Sequence, residues 1–196
     1  MKQFKIVLFG LLVLTMVFIA GCGNNSQESA QQEQNNKITA NGQVDQANKN
    51  NVKKKVKTQQ ITVYFPNENG EKLIAARRTI DLTKTDKYTA AVQELVKGPK
   101  TGEGIAIIPK QAKLLDVKLN SKGIAIVNFD KNLVKKFVGG STGETMLVGS
   151  VVDTLTNFPE VKSVEFFVEG KQLDTLSGHL DLTTPITRMK DILPNN

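Results

Sequence analysis

The stretch STGETMLVGSVVDTLTNFP, residues 141–159, predicts an amphipathic helix. Ser141 and Glu144 stand three residues apart after two glycines, which is the pattern of a capping box, where each side chain satisfies the backbone amide of the other. Pro159 lacks an amide hydrogen and sets the end of the helix. Apolar residues recur at spacings of three and four and form one stripe: Leu147, Val148, Val151, Val152 and Leu155.

Alternating apolar residues on both sides of this helix predict three strands. Before it, residues 120–123 turn the chain between an extended run and a returning strand at residues 124–129, so we expect a hairpin. After it, a further strand ends at Gly170. The side chains that alternate are Leu115, Val117 and Leu119 in the first strand, and Val164, Phe166 and Val168 in the last.

Further toward the N-terminus, a second hairpin and a second helix are predicted. Residues 61–65 alternate and are rich in β-formers, a turn with Asn and Gly follows, and residues 73–82 return. Asp86 offers an N-cap for the helix, and Gly98-Pro99 stops it. Its apolar face contains Tyr88, Ala91, Val92, Leu95 and Val96.

The order β-β-α-β-β-α-β predicts an α+β fold. The simplest architecture is a single small domain, residues 58–196, with two helices on one face of a mainly antiparallel sheet. Gly178 and Pro185 predict irregular structure in the C-terminal segment, packed over the sheet. The pattern has no second copy, so we expect one domain.

The first 22 residues have the layout of a bacterial lipoprotein signal. Lys2 and Lys5 precede an apolar run, residues 6–20, that is too short for the roughly 20 residues of a membrane span. The run ends in Ile19-Ala20-Gly21-Cys22, which resembles a lipobox. We therefore expect residues 1–21 to be a signal peptide and Cys22 to carry two or three acyl chains, which give stable anchoring.

Residues 22–57 are predicted to be a lipidated, disordered tether. Asn, Gln, Ser and Lys dominate there, and such a segment cannot bury an apolar core. The expected location is thus the extracytoplasmic face of the cell membrane. The basic run at residues 53–57 has two explanations, a contact with anionic lipid or wall polymer and a solvated domain boundary, and both stay open.

Composition excludes several classes of function. Cys22 is the only cysteine, which excludes disulfides within the chain, cysteine-ligated zinc and cysteine catalysis. The net charge of +7, or +5 without Lys2 and Lys5, is too modest to indicate nucleic-acid binding. The chain has no nucleotide-binding motif and a single histidine, His179, so we expect no cofactor and no metal.

Five short motifs follow one another between about residue 61 and residue 188. They are Tyr64-Phe65-Pro66-Asn67, Glu94-Leu95 with Gly98-Pro99, Ile108-Pro109, Thr154-Leu155-Thr156-Asn157-Phe158 and Gly178-His179-Leu180-Asp181-Leu182. Each motif is weak alone, but their order is specific, and over this range the chain resembles the GerMN domain of spore-germination and sporulation proteins.

The resemblance implies a non-enzymatic, extracytoplasmic module of lipoproteins, linked to spore assembly, germination or the cell wall. Some members of the family carry two tandem copies, and this chain carries one, so roles that need paired copies are in doubt. The expected partners are the membrane, through Cys22, and an envelope protein or wall polymer. We expect no catalytic residue.

The loop between Gly98-Pro99 and Ile108-Pro109 is the candidate partner-binding site. It contains two glycines and the run Ile105-Ala106-Ile107-Ile108, which is either buried or presented to a partner. The candidate binding residues are Gly98, Pro99, Ile107, Ile108 and Pro109.

Two other functions stay open. A peptidoglycan enzyme would use carboxylates, and Glu165 and Glu169 lie four residues apart on a predicted strand, although a solvated strand face also explains them. Asp116 and Asp130 are further candidates for such an enzyme. A small-ligand-binding lipoprotein is the other alternative. His179 and Asp181 are expected to hydrogen-bond locally and to fix the C-terminal segment.

Overall fold

The computed structural model describes residues 57–194, in which two β-sheets flank a buried helix. The first sheet is the predicted N-terminal hairpin, with β1 at Thr58–Pro66 antiparallel to β2 at Leu73–Asp81. The side chain of Asn67 closes its turn, because Oδ1 accepts the amide hydrogen of Glu71 at an N–O distance of 3.0 Å. This hairpin forms a sheet of its own, where one continuous sheet was expected.

The second sheet has five strands: β3 Leu114–Leu119, β4 Ile124–Phe129, β5 Ser163–Val168, β6 Lys171–Gln172 and β7 Ile186–Thr187. β3 and β4 form the predicted antiparallel hairpin, and β6 and β7 are both antiparallel to β5. β4 and β5 are parallel, because the chain between them crosses over through helices. Antiparallel pairs nevertheless predominate, and the predicted α+β fold class is confirmed.

Both predicted helices are present, with two short helical segments in addition. α1 spans Lys87–Lys97, and the carboxylate of Asp86 accepts the amide hydrogens of Tyr88 and Thr89, each at 2.9 Å, as an N-cap should. The remaining elements are α2 at Asn132–Lys135, α3 at Ser141–Leu155 and a 3-10 turn at Lys190–Ile192.

α3 is buried on every side, whereas the sequence predicted one apolar face. Every residue from Met146 to Leu155 is buried, including four without an apolar side chain: Gly149, Ser150, Asp153 and Thr154. A helix that is buried all round lies inside a fold and not on its surface. β1 packs along it, and the amide of Tyr64 donates to Thr154 Oγ1 at 3.0 Å.

The predicted capping box of Ser141 and Glu144 is wrong. Gly140 is the N-cap residue, and no side chain caps this end of α3. Ser141 is already helical, so its hydroxyl cannot take the N-cap position. The carboxylate of Glu144 is fully buried and binds a distant segment, which is described below.

Leu115 does not alternate inward with Val117 and Leu119. A β-bulge between Leu114 and Asp116 shifts the register, so that Leu114 packs on the core and the Leu115 side chain is 48% exposed. Bulges insert one extra residue on one strand, and this breaks the period of two.

Glu165 and Glu169 do not share a strand face. β5 ends at Val168, and Glu169 has a φ of 52° followed by Gly170 at 77°. Two successive residues with positive φ are typical of the tight turn that connects two antiparallel strands. Glu169 therefore belongs to the β5–β6 turn.

The predictions for the N-terminus lie outside the described residues. They concern the signal peptide at residues 1–21, lipidation of Cys22 and the tether at residues 22–57, of which the structure describes only Lys57, an exposed residue. Among residues 57–194, no helix is long and apolar enough to cross a membrane.

We expect Leu155→Ala to lower the free energy of unfolding by about 2–5 kcal/mol, because Leu155 is fully buried at the end of α3 and truncation leaves a cavity. Leu115→Ala is the matched control, since the same truncation at an exposed leucine should cost little. Denaturant unfolding of both variants checks this. Equal midpoints for the two variants would contradict the burial of α3.

Candidate partner-binding site

The candidate loop, residues 98–109, begins where α1 ends. Gly98 has a φ of 87°, a conformation that favours glycine, and its amide donates to the carbonyl of Leu95 at 3.0 Å. The loop then returns to the end of the helix, as the position of Ala106 shows. A Cβ added to Gly98 would lie 3.8 Å from the Cβ of Ala106. Both ends of the loop are thus fixed close to the helix.

A buried arginine on β2 binds the loop through an ion pair. Arg78 is 5% exposed, and its guanidinium binds both carboxylate oxygens of Glu103, with an Nη1–Oε1 distance of 2.7 Å. Its Nε lies 3.6 Å from Oε2 of Glu94 on α1. The guanidinium carbon also lies 5.5 Å from the centroid of the Phe65 ring. One cation thereby links β1, β2, α1 and the loop.

This ion pair shifts the pKa values of both partners. The hydrogen bonds from Arg78 and from the Lys100 amide lower the pKa of Glu103 to about 2. The hydrogen bond to Glu103 raises the pKa of Arg78 further above its ordinary value, against the opposing effect of burial. Both groups are charged at neutral pH, so the link between loop and sheet is a full ion pair.

A close backbone contact fixes the middle of the loop. The amide of Ile105 donates to the carbonyl of Pro66 at 2.9 Å. Gly104 has a φ of 94°, and a Cβ there would lie only 2.1 Å from the Pro66 oxygen. Only glycine fits this position without displacing the β1–β2 turn.

None of the predicted binding residues is exposed, and the structure divides them into buried and half-buried ones. Ile108 is 6% exposed and belongs to the main core, so its side chain cannot face a partner. Ile107 is half-buried and packs against the main core and against a smaller cluster of Tyr64, Leu73 and Met146. The residues at the loop ends are also half-buried: Gly98, Pro99 and Pro109. Ile105, which is 41% exposed, and its exposed neighbour Ala106 present the apolar surface instead.

A shallow cavity of about 350 Å³ lies between this loop and the β1–β2 turn. Ile74 forms its apolar part, and the other lining residues are polar or glycine: Asn67, Glu68, Asn69, Gly102 and Gly104. It is open to solvent, so it suits the side of a larger molecule better than an enclosed small ligand.

A second organised site surrounds Glu144 on α3. Its carboxylate accepts five hydrogen bonds from residues 175–179, including those from the amides of Leu176 at 2.9 Å and His179 at 3.0 Å and from the hydroxyl of Ser177 at 2.8 Å. Burial acts to raise the pKa of Glu144, but these hydrogen bonds outweigh it and lower the pKa to about 2. Glu144 therefore holds the C-terminal segment as a carboxylate anion.

α3 also holds the segment around β7. Asp153 is fully buried, and its Oδ1 accepts the amide hydrogen of Met189 at 2.8 Å. Burial raises its pKa, and the Met189 amide and the charge of Arg188 partly offset that. The guanidinium of Arg188 donates to the carbonyl of Asp153 at 3.1 Å and to the hydroxyl of Tyr64 at 2.9 Å.

Three of the candidate carboxylates for catalysis form structural hydrogen bonds within the domain. Asp130 Oδ1 accepts the amide hydrogens of Lys113 and Asn132, and Glu169 accepts that of Lys131. Asp116 bonds to the side chain of Asn128. Within residues 57–194, no group of three or more His, Cys, Asp or Glu is placed to hold a metal ion.

Asp181 hydrogen-bonds locally, as expected, whereas His179 contacts a distant residue through its backbone. The His179 amide binds Glu144, and its imidazole is exposed. Asp181 accepts from the amide and the hydroxyl of Thr183, at 2.9 and 2.6 Å. Both residues shape the C-terminal segment, but not through each other.

Sequence reasoning missed Arg78 and Glu144 as organising residues. For Arg78 a signal existed, because Ala76 and Ile80 share its face of β2 and are buried. A cation on a buried face of a strand needs a carboxylate with which to form an ion pair. For Glu144 the capping pattern was misleading, and its true contacts lie 31 to 35 residues away along the chain.

Comparison with known proteins identifies the family. The sequence profile of the Germane family, described as sporulation and spore germination, matches residues 62–174, which is more than half of the chain. The chain therefore belongs to this family, whose domain is also called GerMN.

Among individual proteins, the chain is similar to spore germination protein GerM of Bacillus subtilis (strain 168). The two are 31% identical over 147 residues, which is 69% of this chain and 38% of that protein. The solved tandem GerMN domains of the sporulation protein GerM from Bacillus subtilis match with a TM-score of 0.56 and 28% identity, over 71% of this chain and 48% of that one. This chain thus spans less than half the length of the relative.

We expect Glu144→Gln to lower the free energy of unfolding at pH 7 by about 3 kcal/mol, because the amide group of Gln would point hydrogens at hydrogen-bond donors. A carboxylate with a depressed pKa contributes its full stability above its ordinary pKa of 4.5 and loses it as the pH falls toward 2. The difference between wild type and variant should therefore shrink between about pH 4.5 and 2.

Urea unfolding at a series of pH values measures this difference. Glu68→Gln, at an exposed residue of the β1–β2 turn, is the control for the loss of one negative charge. A Glu144→Gln variant whose stability relative to wild type is independent of pH would show that the carboxylate charge is not what holds residues 175–179.

Proposed function

We propose that this protein is an extracytoplasmic lipoprotein that is anchored through Cys22 and acts in sporulation or germination. The membership of the Germane family supports the biological process. The lipobox-like sequence at residues 19–22 supports the anchor. Its domain docks on an envelope protein or a wall polymer and catalyses no reaction.

The observation that carries the docking proposal is the Arg78–Glu103 ion pair under the 98–109 loop. A loop that is free in solution loses conformational entropy when it binds, and a loop that is already fixed does not. Here a buried cation, a Gly104 contact and the two loop ends fix the backbone, while Ile105 stays 41% exposed. This arrangement is typical of a preformed contact surface.

An enzyme of the peptidoglycan is less well supported by the geometry. Catalytic carboxylates of glycosidases face each other across a substrate cleft. Asp130 and Glu169 instead bind backbone amides of the same domain, which is a structural use of a carboxylate. The exposed His179 has no carboxylate or hydroxyl within hydrogen-bond reach that would orient it for proton transfer, among the contacts of the described residues.

We expect Cys22→Ser to abolish retention on the membrane, because the thiol is the only group in the chain that can receive diacylglycerol. Fractionation of cells that express the variant tests this, with the wild type as control. A variant of mature size that still pellets with membranes after a high-salt wash would contradict the lipoprotein proposal.

We expect Ile105→Asp to abolish biological activity while leaving the fold intact, since a charge in a desolvated contact is strongly unfavourable. Leu115→Asp is the matched control, because Leu115 is equally exposed but lies on β3, outside the loop. Each variant is tested for complementation of a strain that lacks the protein, by counts of heat-resistant spores and of germinated spores. Full activity of a folded Ile105→Asp variant would exclude the loop as the docking site.

A further inference from the structure

The connection between β4 and α3 combines exposed cations with exposed apolar side chains. Residues 131–138, KNLVKKFV, contain three exposed lysines and no acidic residue. Val138 is 92% exposed and Val134 is 36% exposed. Single exposed apolar residues are ordinary, but a valine that is almost fully exposed beside a second valine and a lysine cluster calls for an explanation. We call residues 131–138 the basic turn.

The fold holds the basic turn in one conformation. Leu133 is fully buried, and the ring of Phe137 packs against Gly139, where an added Cβ would lie 2.8 Å from the ring. The amides of Lys135 and Lys136 donate to the carbonyls of Lys131 and Asn132, both at 3.0 Å. Leu133 and Phe137 are directed inward, and the three lysines and two valines of the turn are exposed.

Two carboxylates lie beside the basic turn, and neither forms an ion pair with its lysines. Asp130 binds the amides of Lys113 and Asn132, and Glu169 binds the amide of Lys131 at 3.0 Å. Two more exposed lysines, Lys113 and Lys171, adjoin these acidic residues. Five lysines against these two carboxylates leave a net positive charge of three among the seven residues.

The two exposed valines of the basic turn, Val134 and Val138, indicate which kind of anionic partner it binds. A soluble polyanion would use the lysines but would leave Val134 and Val138 without a role. A lipid surface uses both, because anionic headgroups attract lysines and the interface beneath them takes up apolar side chains. We propose that the basic turn contacts the surface of an anionic lipid bilayer. This contact is separate from the proposed lipid on Cys22 and would add a second point of attachment.

The test uses the unlipidated chain, residues 23–196, so that its outcome does not depend on Cys22. A melting curve first verifies that each preparation is folded. Sedimentation with vesicles of phosphatidylglycerol, and with vesicles of phosphatidylcholine, then measures binding at several salt concentrations. We expect binding to phosphatidylglycerol that weakens with salt, and at least tenfold weaker binding to phosphatidylcholine.

The charge part of the proposal is tested by K131Q/K135Q/K136Q. Near an anionic membrane each lysine contributes about fivefold in affinity, so we expect a loss on the order of 100-fold. K84Q/K122Q/K162Q is the matched control, because it removes the same charge from exposed lysines, two of which lie at the opposite end of β4 and β5. Equal losses in the two triple variants would overturn the proposal.

The apolar part is tested by Val138→Ser, which should weaken vesicle binding by about tenfold, the effect of removing one buried valine side chain. Binding of wild type and Val138→Ser with equal affinity would overturn the proposal. So would equal binding to lipid-free teichoic acid, which would point to a wall polymer, and so would the absence of binding to phosphatidylglycerol.

Discussion

The burial of α3, complete from Met146 to Leu155, is the constraint on which the rest of the structure depends. A helix that is enclosed on all sides has no solvent to satisfy its polar side chains, so other segments of the chain must do so. Thr154 binds the backbone of β1, Asp153 binds the backbone at Met189, and Glu144 binds residues 175–179. Each of these three side chains thus fixes one other segment to the helix, whereas the buried hydroxyl of Ser150 and Oδ2 of Asp153 have no hydrogen-bond partner among the described residues.

The Arg78 cluster applies the same principle between β2, α1 and the 98–109 loop. Its planar guanidinium can bind two carboxylates and lie near an aromatic ring at once, which the ammonium of lysine cannot do with comparable geometry. A buried ion pair of this kind contributes less to net stability than to specificity of conformation. Its benefit here is a loop whose backbone has one arrangement although two of its residues, Gly102 and Gly104, are glycines.

Local patterns predicted the local structure well. Strands β1 to β5, α1 with its Asp86 cap and Gly98 end, and the GerMN family all followed from the sequence, because alternation, caps and ordered motifs act over a few residues. The short strands β6 and β7 were not predicted. The role of Glu144 did not, because its contacts lie on a segment more than 30 residues away. The location of Ile107 and Ile108 also could not be deduced, since an apolar run does not reveal which of its members face inward.

The enclosed position of α3 has a consequence for the order of folding. β1 to β4 precede α3 in the chain, but β5 and the segment with Leu176 and Met189 follow it. During synthesis from the N-terminus, the apolar sequence MLVGSVVDTL is therefore complete before β5 and the C-terminal segment, which cover part of it, have been made. Such a segment is prone to aggregation while it is exposed. A chaperone that binds the nascent chain until about residue 193 has emerged would protect this domain from aggregation. A C-terminal truncation would permanently remove the cover that the C-terminal segment gives to α3.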